Sequence, residues 1–227
     1  MDMVRKANSG HSGGPMSSAD FAQILFTEYL QFDPDDPNWF NRDRFVLSAG
    51  HESALMYALL YQIGWLNKED IENFRQLKSR TPGHPEVEIP GVEATTGPLG
   101  QGFAMAVGMA VAESMLREKL TQFSDDISDV FGHYTYVLAG DGDFQEPIVL
   151  GAGSMAGHWG LSRLIVYYDA NNAQISGKVG RSDSTNYAQV FEGFGWHVQE
   201  IDGHDHDKIR EAIEKAQVVD RPSLIIG

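Results

Sequence analysis

Two short apolar segments, each followed by a polar turn, constrain this chain more than any other feature. The first covers residues 134–139, is rich in aromatic and β-branched side chains, and leads into Asp141 within a Gly-Asp-Gly turn. The second covers residues 164–168 and leads into Asn171, thirty positions after Asp141. Short apolar runs that end at turn residues are typical of buried strands. We therefore predict two buried strands that carry polar residues at their ends.

The segment between these strands, residues 145–159, predicts a helix. Its apolar side chains recur at helical spacing: Ile148, Val149, Ala152, Met155 and Ala156. A strand–helix–strand crossover makes the two strands neighbours in a parallel sheet. Asp141 and Asn171 are then expected at the carboxyl ends of adjacent strands, which is the edge where open α/β sheets bind ligands.

The side chains at this edge favour a hard metal ion. A carboxylate (Asp141), an amide oxygen (Asn171) and a free backbone carbonyl (Ala173) suit Mg²⁺ or Ca²⁺ and offer no soft ligand for zinc. A single carboxylate leaves coordination positions open for phosphate oxygens. Gly142 permits a close backbone approach to a phosphate, and the start of the following helix favours anions. A Gly-Asp-Gly turn alone is weak evidence for a metal–phosphate site. The pairing of this turn with Asn171 at a second strand end is much stronger evidence.

Composition narrows the classes of partner. The chain has 227 residues, a formal net charge of −15 and no cysteine. Its length fits one large α/β domain or two small ones. The acidic balance and the lack of a Lys/Arg cluster argue against nucleic acid and anionic membranes as partners. The start does not resemble a signal peptide, and no apolar run approaches the length of a membrane span, so we predict a cytoplasmic protein. An acidic chain that binds an anionic cofactor needs a local positive charge, and a divalent metal ion supplies one.

Three loops each place one histidine among small residues. His11 lies in a Ser/Gly-rich loop, His51 follows a predicted strand at residues 45–48, and His84 follows a Pro-Gly pair. The simplest interpretation of His11 is a loop histidine bonded to the backbone, and that of His51 is a helix cap. A donor at the start of a helix is nevertheless well placed for an anion.

A glycine-rich loop at residues 97–102 precedes a helix of small residues. Three glycines and a proline in six positions make this loop too rigid and open for ordinary core, and such loops often carry function. The small residues of the helix indicate close packing against the sheet or a partner helix. Exposed apolar helix faces around residues 103–112 predict a missing partner surface, through which the chain could self-associate.

The remaining patterns complete an α/β fold. We predict helices at residues 16–30, 53–63, 68–77, 186–194 and 205–218, strands at 196–201 and 223–226, and a polar loop at 176–185. The other histidines are interpreted as structural or surface residues: His133, His158, His197 and His206. The turn at residues 202–204 is interpreted as a helix cap. Together these elements predict a three-layer α/β/α domain with a largely parallel central sheet.

Asp141 with Asn171 resembles the thiamine diphosphate motif. Taken together, the motifs of this chain and their order resemble the N-terminal, pyrophosphate-binding domain of the transketolase family. The matching segments are residues 6–11, 43–51, 81–86, 95–102, 140–146, 169–171, 195–198 and 202–204. The resemblance runs from about residue 6 to the last residue. It implies the thiamin-diphosphate-binding fold and one domain over residues 1–227, truncated at both ends.

The resemblance also implies roles for individual residues. The metal ligands would be Asp141, Asn171 and the carbonyl of Ala173. The diphosphate would be contacted by His51, Gly142 and Asn171, and the two cofactor rings by Gly97 and Leu99. The sugar substrate would face His11 and His84. Glu146 would join a chain of carboxylates between the active sites of a dimer.

The implied chemistry is transfer of a two-carbon ketol unit from a ketose phosphate to an aldose phosphate. Thiamine diphosphate is the electron sink, while the protein positions it and moves protons. Enzymes of this family complete the site with a pyrimidine-binding domain from another subunit. We therefore expect this chain to be one half of a site, inactive alone and prone to form homo-oligomers.

Three departures from the family pattern are present. Ser12 replaces a usual proline beside His11, and Pro147 replaces a common glycine after Glu146, which a first helical turn tolerates. The pyrimidine-binding domain, the C-terminal domain and one further histidine are absent from these 227 residues.

Five alternatives remain from the sequence. Dihydroxyacetone synthase, 1-deoxyxylulose-phosphate synthase or a 2-oxoacid dehydrogenase component would use the same cofactor. A non-catalytic assembly module could retain the pocket. A dinucleotide-binding domain is weaker, because no G-x-G-x-x-G follows the first strand.

Overall fold

The computed structural model describes residues 1–123, 131–174 and 177–227, and is built on one five-stranded sheet. All neighbouring strands are parallel, in the order β1-β2-β3-β7-β6. These strands are β1 (Arg44–Leu47), β2 (Thr135–Gly140), β3 (Leu164–Asp169), β6 (His197–Glu200) and β7 (Ser223–Ile226). A separate antiparallel pair is formed by β4 (Ala173–Gln174) and β5 (Gly177–Lys178).

Helices surround the sheet. They are α1 (Asp2–Ala7), α2 (Gly13–Ser17), α3 (Ala19–Ile24), α4 (Ser53–Gln62), α5 (Lys68–Glu72), α6 (Gln101–Thr121), α7 (Asp141–Phe144), α8 (Pro147–His158), α9 (Tyr187–Gly193) and α10 (His206–Val218). Short 3₁₀ turns cover Gly50–Glu52 and Val179–Arg181. In the described parts of the chain, no helix is long and apolar enough to cross a membrane.

Alternating side chains of the central strands divide the core into two layers. On β2, Tyr136 and Leu138 pack into one cluster with residues of α3, α4 and α10. Val137 and Ala139 point the other way, into a cluster with residues of α6, α8 and α9. Since side chains alternate across a strand, a sheet buried on both faces must be apolar throughout. The predicted three-layer α/β/α architecture is confirmed.

The predicted crossover from β2 through α8 to β3 is also confirmed. The two strands pair in parallel, with Gly140 directly opposite Asp169. This register places Asp141 and Asn171, which follow these two residues, at the same edge of the sheet. The fold therefore produces the juxtaposition that the spacing predicted.

A single helix over residues 16–30 is wrong. Ser18 has ψ near 0°, which separates α2 from α3. Its buried hydroxyl donates to Glu52 at 3.5 Å, a contact that turns the chain toward the start of α4. The last turn, Leu25–Tyr29, is a π-helix closed by the bond from Leu30 N–H to the Leu25 carbonyl, at 2.8 Å.

A helix over residues 68–77 is also wrong, because α5 ends at Glu72. Phe74 turns into the core, and Arg75 adopts a left-handed conformation with φ of 60°. Its backbone N–H donates to the carbonyl of Thr81 instead of continuing the helix. The predicted polar loop at 176–185 contains β5 and a 3₁₀ turn, while residue 176 lies outside the described residues.

The expected exposure of residues 103–112 holds for only part of α6. Phe103, Ala106, Val107 and Ala110 are buried against the sheet, because this side of the helix packs over β1 and β2. The exposed apolar side chains lie on the outer side of α6, on the adjacent α8 and at the residue that follows α8. We call them the α6/α8 face: Met105, Met115, Leu116, Ile148, Met155 and Trp159.

His133 is a buried histidine just before β2, at the end of the strand opposite to Asp141. Its burial predicts that the domain loses stability in acid. His133 is 7 % exposed, and its Nδ1 has no hydrogen-bond partner among the described residues. Burial, together with nearby Arg44, Arg163 and Arg42, lowers the pKa of His133 to about 4. Between pH 6.5 and 4, the unfolded chain therefore binds a proton here that the folded chain does not, and stability is lost as the pH falls.

We expect His133→Phe to remove this loss. Relative to wild type, the variant should gain about 3 kcal/mol in unfolding free energy as the pH falls from 7.5 to 4, because each pKa unit is worth about 1.4 kcal/mol. Urea denaturation at both pH values measures the difference. His158→Phe, at an exposed histidine, is the matched control. A constant difference between wild type and His133→Phe across this range would contradict the assignment.

Candidate active site

A cleft of about 670 Å³ opens at the carboxyl ends of β1, β2 and β3. Its lining comes from loops far apart in the sequence: His11, Ser12, Gly13, Gly14, His51, Glu52, His84, Gly97, Leu99, Gly140, Asp141, Gly142, Gln145, Glu146, Asn171, Ala173 and Gln174. Every residue that the sequence analysis assigned to catalysis, cofactor or metal is in this set. The structure thus brings all of the predicted site residues to one place.

Asp141 lines the cleft and has a buried carboxylate. It is 6 % exposed, and its Oδ1 accepts a hydrogen bond from the Tyr168 hydroxyl at 2.7 Å. Its Oδ2 is buried and has no hydrogen-bond partner among the residues that the structure describes. Burial is the main reason that the pKa of Asp141 lies above its ordinary value. A cation at Oδ2 would supply the interaction that this oxygen lacks.

Asn171 lies beside Asp141 in a tight turn after β3. Its Nδ2 donates to Asp169 Oδ2 at 2.8 Å, and its Oδ1 accepts from the Ala173 N–H at 3.0 Å. Asn172 adopts the left-handed conformation, with φ of 57°, that this turn requires. Within the described ranges, no three His, Asp or Glu side chains converge to hold a metal ion. A metal here would therefore depend on one carboxylate, one amide and a carbonyl, all hard oxygen donors that fit Mg²⁺.

The three predicted histidines meet across the mouth of the cleft. The rings of His11 and His51 lie 5.1 Å apart, nearly perpendicular. Burial, followed by the proximity of His11 and His84, lowers the pKa of His51 to about 4. Burial and nearby Arg75 also lower the pKa of His84. At neutral pH, His51 and His84 are thus neutral imidazoles, each with one donor and one acceptor nitrogen.

Two glycines let the loops approach one another. Gly97 has φ of 148°, and a Cβ there would lie 3.3 Å from the His84 ring. A Cβ at Gly142 would lie 2.8 Å from a methyl carbon of Leu99. Glu146 is exposed at the start of α8, where Pro147 occupies the first turn. The replacement of glycine by Pro147 is therefore accommodated, as expected.

Comparison with known proteins decides the family. A family model described as "Transketolase, thiamine diphosphate binding domain" matches residues 1–227. The chain belongs to the transketolase family. This membership sets aside the dinucleotide-binding alternative.

Individual transketolases agree in sequence and in fold. Transketolase 2 of Escherichia coli (strain K12) is 51% identical over 100% of this chain and 34% of its own length. The transketolase of Halalkalibacterium halodurans is 50% identical over 99% of this chain and 34% of its own. The solved transketolase of Leishmania mexicana superposes with a TM-score of 0.94 at 43% identity, over 99% of this chain and 34% of that one. The chain thus spans about a third of the length of these transketolases.

Glu52 is a cleft residue of this transketolase domain that the sequence analysis missed. It is 1 % exposed, and its carboxyl fills the volume that a side chain at Gly14 would occupy. Burial, with Asp169 and Asp143 nearby, raises the pKa of Glu52 well above its ordinary value. Its position next to His51 was the available signal, but a helix-start glutamate is more often a solvated residue.

Asp143 was also missed. It does not line the cleft, but its hydrogen bonds join three segments that do. Its fully buried carboxylate accepts from Ser48 Oγ at 2.6 Å and from the backbone N–H groups of Gly100 at 2.7 Å and Gly140 at 3.0 Å. The Ser48 hydroxyl in turn accepts from the Phe103 N–H at 3.0 Å. The carboxylate therefore joins the end of β1, the glycine-rich loop and the end of β2.

We expect Asp143→Asn to destabilise the domain by about 2 to 3 kcal/mol, because the amide nitrogen would face a donor that now has an acceptor. Chemical denaturation at pH 7 measures the change. Asp220→Asn, at an exposed carboxylate, is the control. Equal midpoints and slopes for wild type and Asp143→Asn would show that the three hydrogen bonds do not hold the loops together.

Proposed function

We propose that this domain forms the diphosphate-binding half of a ketol-transferring active site, with ketose and aldose phosphates as substrates. The observation that carries the proposal is Asp141 Oδ2, which has no hydrogen-bond partner in the described part of the chain and belongs to a cleft that also contains Asn171 and three histidines. Thiamine diphosphate, when bound, would supply the electron sink for cleavage and formation of the carbon–carbon bond. The domain's own residues would bind it, orient it and move protons.

The cofactor's charge would be held by a metal and by neutral donors. Asp141 Oδ2, Asn171 Oδ1 and the Ala173 carbonyl would bind Mg²⁺, or Ca²⁺ in its place, because all three are hard oxygen donors. His51 is neutral and half-buried, so it can donate one hydrogen bond to the diphosphate. Gly142 would let the backbone approach a phosphate oxygen without a side chain between them.

The two rings of the cofactor would lie nearer the mouth of the cleft than its diphosphate, and the sugar substrate would lie there too. Gly97 and Leu99 line the wall above Gly142 and would contact the rings. His11 and His84 stand at the mouth, where an imidazole can take a proton from a sugar hydroxyl and, once protonated, return it to a carbonyl oxygen. Glu146 at the start of α8 would link this site to that of a second subunit.

Two features of the domain indicate partners: the open cleft and the α6/α8 face. The cleft residues supply one wall, so a pyrimidine-binding domain or subunit would supply the other, and we expect no ketol transfer by this chain alone. Five large apolar side chains on two packed helices, and Trp159 just after α8, would remain in water without a covering surface. We propose that a second copy of the chain covers them, giving a homodimer.

Calorimetric titration of thiamine diphosphate into the purified chain tests the metal and cofactor assignment. We expect binding that requires Mg²⁺, disappears with a chelator, and weakens at least 100-fold in Asp141→Ala, because the only carboxylate ligand is lost. Asp220→Ala is the control for a lost negative charge. Binding that is independent of Mg²⁺, or unchanged in Asp141→Ala, would refute the assignment.

A charged substitution tests the α6/α8 face. We expect Met155→Glu to convert a dimer into a monomer in sedimentation velocity, because a buried, unpaired carboxylate opposes association. Val218→Glu, at an 82 % exposed residue on α10, is the matched control. If wild type and Met155→Glu sediment alike, this face does not join two copies.

Turnover separates an enzyme from a module that only binds the cofactor. Both possibilities predict the same Mg²⁺-dependent binding. Only the enzyme would transfer a ketol unit from a ketose phosphate once a pyrimidine-binding domain is supplied.

A further inference from the structure

We propose that Asp169, held in place by Ser17, is a positioning residue that turns the Asn171 amide so that its oxygen faces the metal. The assignment rests on the proposed function, because it concerns the same metal site. Neither Asp169 nor Ser17 is itself a ligand in this proposal. Both act through Asn171.

The three side chains form a closed set of contacts. Asp169 is the last residue of β3 and is 2 % exposed. Its Oδ2 accepts from Ser17 Oγ at 2.5 Å and from Asn171 Nδ2 at 2.8 Å. Asn171 Nδ2 also lies 3.4 Å from Ser17 Oγ. One carboxylate oxygen therefore contacts both neighbours.

This arrangement fixes which end of the amide points to Asp169. An amide has an acceptor end and a donor end, and only the donor end can face a carboxylate oxygen without repulsion. With Nδ2 bound to Asp169, Oδ1 points the other way and accepts the Ala173 N–H. An amide oxygen has two lone pairs, so one remains for a metal. Without Asp169, rotation of the amide would present an NH₂ group, which a cation cannot use.

Ser17 holds the carboxylate from a distant segment of the chain. It is the last residue of α2, the helix that follows the His11 loop. Its single hydroxyl proton is best used toward Asp169, since the carbonyl oxygens of Gly13 and Gly14 are more distant, at 3.3 and 3.2 Å. A hydrogen bond to a carboxylate is also shorter and stronger than one to a neutral acceptor. The substrate-facing loop and the metal ligand are thus joined through one carboxylate.

Metal affinity tests the assignment, with Mn²⁺ as a spectroscopic substitute for Mg²⁺. In the presence of thiamine diphosphate, electron paramagnetic resonance of free Mn²⁺ gives its dissociation constant for each variant. We expect Asp169→Ala to bind about 10- to 100-fold more weakly, the usual effect of losing a residue that orients a ligand. Asp169→Asn should stay within about threefold of wild type, because its Oδ1 can accept both hydrogen bonds. Ser17→Ala should lie between them.

Two matched controls accompany these variants. Thr27→Ala removes an exposed helical hydroxyl, and Asp220→Ala removes an exposed carboxylate, both outside the cleft. Neither should change the Mn²⁺ dissociation constant. Rescue by Asp169→Asn is the decisive comparison, since a loss of charge would weaken Asp169→Asn and Asp169→Ala alike, and that result would overturn the proposal. Wild-type affinity in Asp169→Ala would overturn it as well.

A second measurement follows the Asn171 amide without any metal. In ¹⁵N spectra of the free chain, we expect the Asn171 Nδ2 protons to exchange slowly with water in wild type and Asp169→Asn, and quickly in Asp169→Ala. Equal exchange in all three would refute the orienting role. If the amide is fixed as expected but wild type binds no Mn²⁺ with thiamine diphosphate, the metal site fails, and the positioning role with it.

Discussion

The cleft depends on one buried carboxylate that belongs to none of its walls. Burying a charge is costly unless hydrogen bonds replace the lost water. Asp143 meets this condition with one hydroxyl and two backbone N–H donors, from Ser48, Gly100 and Gly140. Because these donors belong to three separate segments, satisfying the carboxylate also places the end of β1, the glycine-rich loop and the end of β2. The three segments that frame the site are therefore held together by hydrogen bonds within the domain itself.

The electrostatic character of the cleft explains why a metal is central to the proposal. The carboxyl groups at its base are Glu52, Asp141, Asp143 and Asp169, all buried, and the chain as a whole carries a formal charge of −15. His51 and His84 add no positive charge at neutral pH, because burial lowers the pKa of each. A diphosphate entering alone would meet repulsion with little to offset it. A divalent cation at Asp141 would convert the same surface into a site for an anion.

The sequence allowed prediction of those features that depend on local pattern. The apolar runs of β2 and β3 and the helix between them determine a parallel pair, and this pair determines where Asp141 and Asn171 meet. Contacts between distant loops could not be predicted in this way. Nothing near Asp143 in the sequence indicates that Ser48 or Gly100 will donate to it, and the break at Ser18 depends on a tertiary contact. Hydrogen-bond partners of this kind are chosen by the assembled fold.

The missing side chain at Gly14 has a thermodynamic consequence. The Glu52 carboxyl occupies the space beside it, so the start of α2 forms part of the wall that keeps this carboxyl dry. Burial therefore raises the pKa of Glu52, which retains its proton to a higher pH than it would in water. Unfolding of this region would hydrate the group and favour release of that proton. Folding and proton binding are therefore linked, and a rise in pH weakens the contribution of this carboxyl to stability.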